Sequence, residues 1–177
     1  PTGVLAAGPA VFLVVGPSIG SVAPEPEHNC VRDVVLRRVT LDTPFKVVYV
    51  KSNSGDDPEG DAIIENVTFE DITATRSILW PVYVGPQQQK EPDGRGDGVW
   101  PDPQPLVTMR AIGVRRVRAV GSLLPSPGVL RGNATNPIGP LVLEDINVTT
   151  ERSRPWICQH AEVVVADVQP AVADSSG

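Results

Sequence analysis

The chain has 177 residues, 41% of them hydrophobic and only 5% aromatic, and its 15 lysines and arginines stand against 21 aspartates and glutamates for a formal net charge of -6. That length allows one domain with a sizeable aliphatic core, and the acidic balance without a basic tract excludes nucleic acid as an expected partner. Nineteen prolines and 16 glycines interrupt every window long enough for an amphipathic helix, which leaves short strands joined by turns.

In chain order, the opening PTGVLAAGPAVFLVVG is apolar. It is too short to span a bilayer and has no basic leading region, so residues 1-15 are read neither as a membrane segment nor as a signal peptide. Two strings then alternate along the chain. The first is DVVLRRVTL from Asp33, NVTFEDITA from Asn66, AIGVRRVRA from Ala111, PLVLEDINV from Pro140 and EVVVADVQP from Glu162. The second is PFKVVYVKS from Pro44, WPVYVGPQ from Trp80 and SPGVLRGN from Ser126.

Each of the first four copies, PLVLEDINV more weakly, alternates apolar and polar residues, then shifts phase at a polar pair before another β-branched residue, a pattern of strand, bend and strand. In register, Val34, Val67 and Ile112 form one column, Leu36, Phe69, Val114 and Leu143 a second, and Val39, Ile72, Val117 and Ile146 a third. Val163, Val165 and Val168 extend the same columns. One repeat cannot bury its own inward row. Stacking places identical positions at the strand spacing of about 4.8 Å and buries each column against the next.

With the second string, each repeat carries at least three short strands. The fold expected is all-β, a right-handed, single-stranded parallel β-helix over residues 16-170, with a loop insertion at 86-105 and a flexible tail at 171-177. An antiparallel sandwich also has evenly spaced strands, but it predicts hairpin turns, and two-residue Asn-Gly or Asp-Gly connectors are few.

Cys30 and Cys158 are the only cysteines and form no C-x-x-C pair, so neither a zinc nor a redox site is indicated, and no metal or cofactor is expected. Asn66-Val67-Thr68, Asn133-Ala134-Thr135 and Asn147-Val148-Thr149 fit the glycosylation sequon, although Asn and Thr are also common where strands turn.

From GPSIGS at Gly16 through HNCVRDVVLRRVTLDTPFKVVYVKSN, IIENVTFEDI, WPVYVGPQQQ and SPGVLRGNATNP, the chain resembles the polygalacturonase-like pectinases of glycoside hydrolase family 28, over about residues 16 to 160. The resemblance implies the C-terminal portion of a secreted, monomeric β-helix. Its outer groove would hold an acidic, pectin-like polysaccharide and cleave it with inversion. The family's aspartates lie in N-x-D and D-D motifs that precede a G-H-G-x-S-I-G-S segment.

No residue of this chain is therefore assigned as catalytic. In the last of those segments Val15 takes the place of the family's histidine, so either this copy is inactive or the first fifteen residues are not the true continuation. Asp56-Asp57 sits in the turn SNSGDDPEGD and reads as turn chemistry. A calcium-dependent lyase on the same fold has no recognisable pattern here. The positions of a cysteine pair common in related sequences hold Gly132 and Ile138, which leaves Cys30 and Cys158 expected as free, buried thiols.

Candidate substrate contacts follow from the same match. The family's R-I-K motif corresponds to Tyr49-Val50-Lys51, retaining the lysine. With Val50 inward, Tyr49 and Lys51 share the outward face. An ammonium there pairs with a sugar carboxylate, and tyrosine offers an apolar face to a sugar ring. The next repeats place Tyr83 and Gly85, then Val129 and Arg131, in the same columns. Lys51 and Arg131 would thus bracket Gly85 along a lane of about 10 Å. Trp100 in the loop could stack on a sugar or pack the loop onto the surface. Arg95-Gly96-Asp97 needs no explanation beyond turn chemistry.

Overall fold

A computed structural model of the protein describes residues 15-55, 59-87 and 100-172. Asp56-Asp57, Arg95-Gly96-Asp97, nearly all of the apolar opening segment and the last five residues lie outside that range. The described residues contain no helix, and so none long and apolar enough to cross a membrane. The strands are β1 (Ser18–Val22), β2 (Asn29–Asp42), β3 (Val48–Ser52), β4 (Ala62–Thr75), β5 (Val82–Pro86), β6 (Val107–Ser122), β7 (Gly128–Arg131), β8 (Ile138–Thr150), β9 (Ile157–Gln159) and β10 (Ala161–Gln169).

They form two five-stranded sheets, ordered β1-β3-β5-β7-β9 and β10-β8-β6-β4-β2, and the pairing within each is parallel. Consecutive strands thus alternate between sheets, and each strand lies beside its equivalent from the next repeat. The register is the one the columns require. Val34, Val67, Ile112, Leu141 and Val163 are successive partners, as are Leu36, Phe69, Val114, Leu143 and Val165, and Val39, Ile72, Val117, Ile146 and Val168.

The inner members are sealed: Val67, Phe69, Ile112, Val114, Val117, Leu141 and Leu143 have no solvent exposure. In β2, which among the described residues has a strand on one side only, the same columns are just partly buried.

The structure merges the expected strand, bend and strand into one long hydrogen-bonded element. At the bend the second residue of the polar pair adopts the left-handed conformation in Arg38, Asp71, Arg116 and Asp145, as does Asp167 after Ala166 in β10, all with φ between 51° and 59°. One such residue reverses the inward-outward phase while pairing continues on both sides of it, so each repeat contributes one short and one long strand in place of the three or more short strands expected. A second set of left-handed residues, Asp33, Asn66 and Ala111, recurs five positions earlier.

Outward from this longer sheet, charge alternates strand by strand. Arg37, Glu70, Arg115 and Glu144 are successive partners, and Arg32, Glu65 and Arg110 form another row. The rows close into ion pairs, including Arg110 to Glu65 at 2.6 Å, Arg116 to Asp71 at 2.6 Å and Arg115 to Glu144 at 3.2 Å. The hydrogen bonds from Arg116 hold the Asp71 carboxyl below its ordinary value. Hydrogen bonds from Thr75, Arg76 and Thr43 do the same for Asp42.

Two outcomes follow. Phe69→Ala removes the largest side chain of a sealed column and is expected to cost about 3–5 kcal/mol, against about 0.5–1.5 kcal/mol for Ile72→Val, both read from urea unfolding midpoints. Both carboxylates titrate lower in the folded than in the unfolded chain, so their stabilisation is present above the unfolded value near 4 and is lost as pH falls through the folded values. Thermal midpoints should therefore drop on acidification below about pH 4, and less steeply in Asp71→Asn. An unchanged acid limb in that variant would show that the pair is irrelevant to stability.

Candidate functional site

The candidate site lies on the outward face of the shorter sheet. Val50, Val84 and Leu130 point into the core with no exposure, so their neighbours in sequence point out. Tyr49, Tyr83, Val129 and Ile157 make one outward column, and Lys51 lies beside Gly85 while Arg131 lies beside Gln159 in the next. Both glycines in the cationic column are demanded by close approach. A Cβ on Gly20 would meet the Lys51 carbonyl oxygen at 2.0 Å, and one on Gly85 would meet the Arg131 carbonyl oxygen at 2.9 Å.

The sequence-derived candidates are brought together as expected, but the lane is not open. Tyr49 and Tyr83 belong to a second apolar cluster with Trp80, Leu124 and Val129, and Tyr83 has no exposure. Their rings meet edge to face with centroids 5.3 Å apart, and Trp80 packs 5.9 Å from Tyr83. The reading of both tyrosines as open sugar platforms is corrected: they form a small outer core. Trp100 packs on Trp80 at 5.7 Å and covers the Arg131 guanidinium at 4.9 Å, which is the packing alternative for that residue.

Lys46 was not singled out by sequence reasoning. It is 2% exposed, with its Nζ 4.5 Å from the Tyr49 ring centroid, 5.0 Å from that of Tyr83 and 5.9 Å from that of Trp80. The signal was available. With Val48 paired to Val82, Lys46 falls in the Trp80 position of the next repeat, a cation in an aromatic column. Gln159 was also missed, because β9 is too short to show a pattern.

Lys51 is the partly exposed cation of the group, and its Nζ lies 4.8 Å from the Tyr49 ring centroid, within cation–π range. Arg131 is 8% exposed. Its Nε and Nη2 donate to Gln159 Oε1 at 3.0 and 2.8 Å, and its Nη1 donates to the Pro101 carbonyl at 3.0 Å.

No aspartate or glutamate stands in the Gly20, Lys51, Gly85, Arg131, Gln159 column, so the column offers charge and hydrogen bonds to an anion but no acid and base flanking a bond. Among the described residues no group of three His, Cys, Asp or Glu side chains could hold a metal ion.

The three sequon asparagines differ in their surroundings. Asn66 and Asn147 are exposed, the amide of Asn66 donating to Asp33 at 2.6 Å. Asn133 is half-buried, and the amide nitrogen that a glycan would use donates to the Pro103 carbonyl at 2.9 Å. The thiols are free, but Cys30 is exposed, contrary to the expectation of burial, because β2 is an edge strand. Cys158 is partly buried, and desolvation pushes its thiol up to about 11.

No family model, no curated protein and no solved structure matches the chain.

The two thiols provide a check on this geometry. At pH 8, iodoacetamide should modify Cys30 at least about tenfold faster than Cys158, since the thiolate is the nucleophile, Cys30 is exposed, and desolvation holds the Cys158 thiol up. Equal rates in peptide-mapped mass spectra would contradict the placement of β9 against β7.

Proposed function

We propose that the chain is part of a right-handed parallel β-helix of the polygalacturonase-like class, a secreted, monomeric, carbohydrate-active protein whose shorter-sheet face holds an acidic polysaccharide. Two five-stranded parallel sheets, with strands alternating between them and equivalent columns in register, support the β-helix reading. A crossover between parallel strands is right-handed in nearly all folds, which supports the hand. The observation that carries the glycan reading is Lys51: a partly exposed lysine, its ammonium over the Tyr49 ring, in an outward column free of carboxylates. Such a site attracts a uronate and gives a neutral sugar no comparable partner.

Hydrolysis by inversion would then use aspartates in sequence preceding this chain, because the candidate column contains no acid-base pair. The closed state of Tyr83 and Arg131 favours a second reading, a non-catalytic β-helix that binds or scaffolds acidic polysaccharide. Exposed Asn66 and Asn147 are compatible with glycosylation on a secretory route.

Lys51→Ala is expected to weaken retention on immobilised polygalacturonate at least about tenfold, the scale of one charge-assisted hydrogen bond, while leaving the unfolding midpoint near that of the parent. Equal retention would remove the glycan reading. A reducing-end assay on polygalacturonate separates the two forms: release by the full-length gene product and none by this chain supports hydrolysis, and release by neither supports binding alone.

A further inference from the structure

Arg131 is a guanidinium with its donors aimed outward from the sheet, and the oxygens it holds are supplied by the chain itself. Gln159 Oε1 accepts from both Nε and Nη2, the two donors that a sugar carboxylate engages as a fork, and the Pro101 carbonyl accepts from Nη1. Trp100 lies across the face of the same group.

These oxygens arrive on a strap of polypeptide, residues 100-106, that crosses the outward face and is tied down along its length. The Asp102 carbonyl accepts from the Gly55 amide at 2.9 Å, and Gln104 Nε2 donates to the Ser54 carbonyl at 3.0 Å. Asn133 and Asn136 donate to the carbonyls of Pro103 and Pro105, each at 2.9 Å. Every one of these ties is a polar contact that water or a sugar hydroxyl can replace. The apolar contact at this end of the strap is Trp100 on Trp80.

We infer that Arg131 is a second carboxylate subsite, held shut by Gln159 and by the 100-106 strap, and that release of Trp100 extends the site from Lys51 alone to a span that reaches Arg131. The inference rests on the glycan reading above and adds how much of the face a ligand can use. Three features fit it. The column between the two cations is glycine, so no side chain separates them. The rise across two strands is about 10 Å, which an oligomer can bridge and a single sugar cannot. Gln159 Oε1 and the Pro101 carbonyl are neutral oxygens, which a carboxylate outcompetes for a guanidinium because a charge-assisted hydrogen bond is roughly twice as strong as a neutral one.

The test is isothermal titration of the 177-residue protein with galacturonate monomer and with an oligogalacturonate long enough to span both cations. Trp100→Ala, and separately Gln159→Ala, should raise oligomer affinity at least about fivefold and leave monomer affinity unchanged. Adding Arg131→Gln to Trp100→Ala should cancel the gain. Trp100→Phe, which keeps an aromatic ring on Trp80, should behave as the parent and serves as the folding control. If the parent binds through Lys51 and neither opening variant gains affinity for the oligomer, or the gain survives Arg131→Gln, this inference alone is overturned. If the parent and Lys51→Ala bind the oligomer equally, the glycan reading fails and this inference falls with it.

Discussion

Everything in this molecule depends on one constraint, that a single repeat has no core of its own. Each long strand presents an aliphatic row inward, and that row leaves water only when the equivalent row of the next repeat lies against it at the spacing of a parallel sheet. The contrast between strands shows the constraint at work. Phe69 and Val114, with strands on both sides, have no exposure, while Leu36 in the same column is only partly buried. Burial here is a property of a column.

Apolar columns alone do not determine which repeat sits beside which, since one valine row packs against any other. The outward charges supply that choice. Both β2 and β6 carry an arginine pair at the bend, and both β4 and β8 carry an acidic pair. Neighbours in the observed order are of opposite sign, whereas skipping a repeat would set arginine against arginine and carboxylate against carboxylate. Exposed pairs of this kind contribute little to stability because solvent screens them. Their effect is on the order of the strands, and they reinforce the left-handed bend residues Arg38, Asp71, Arg116 and Asp145, which in three of these strands belong to the same pairs.

How much of this was legible in the sequence depended on repetition. The columns through Val34, Leu36 and Val39 were readable because the same pattern returns, and the register follows them position by position. The left-handed bend appeared in the sequence only as a shift of phase, because Arg38 and Arg116 are not residues that announce such a conformation. β1 and β9 were invisible as strands because SIGSV and ICQ do not carry the string that recurs in β3, β5 and β7. Exposure failed to be legible for a different reason. Alternation indicates which way Tyr83 points, but what covers it comes from Trp80 in a preceding turn, outside the alternation of the strand that carries it.

That distinction bears on where function can reside in such a fold. Inward positions repeat and are therefore interchangeable, so they carry no information about a ligand. On the shorter sheet one outward column does not repeat as the inward ones do: Gly20, Lys51, Gly85, Arg131 and Gln159 change chemistry at each step. A stack of equivalent repeats becomes a specific surface only through such irregularities, and the largest of them here is the crossing of residues 100-106 over Arg131. A buried guanidinium must be given oxygens, since leaving it unpaired costs more than the hydrogen bonds themselves contribute. Pro101 and Gln159 meet that requirement in the closed arrangement, and any ligand reaching Arg131 must bring oxygens of its own to replace them. On the proposed reading, the affinity of this face for an anion is set by the difference between the ligand's oxygens and the chain's, and residues that touch no ligand, Trp100 above all, would have a part in determining it.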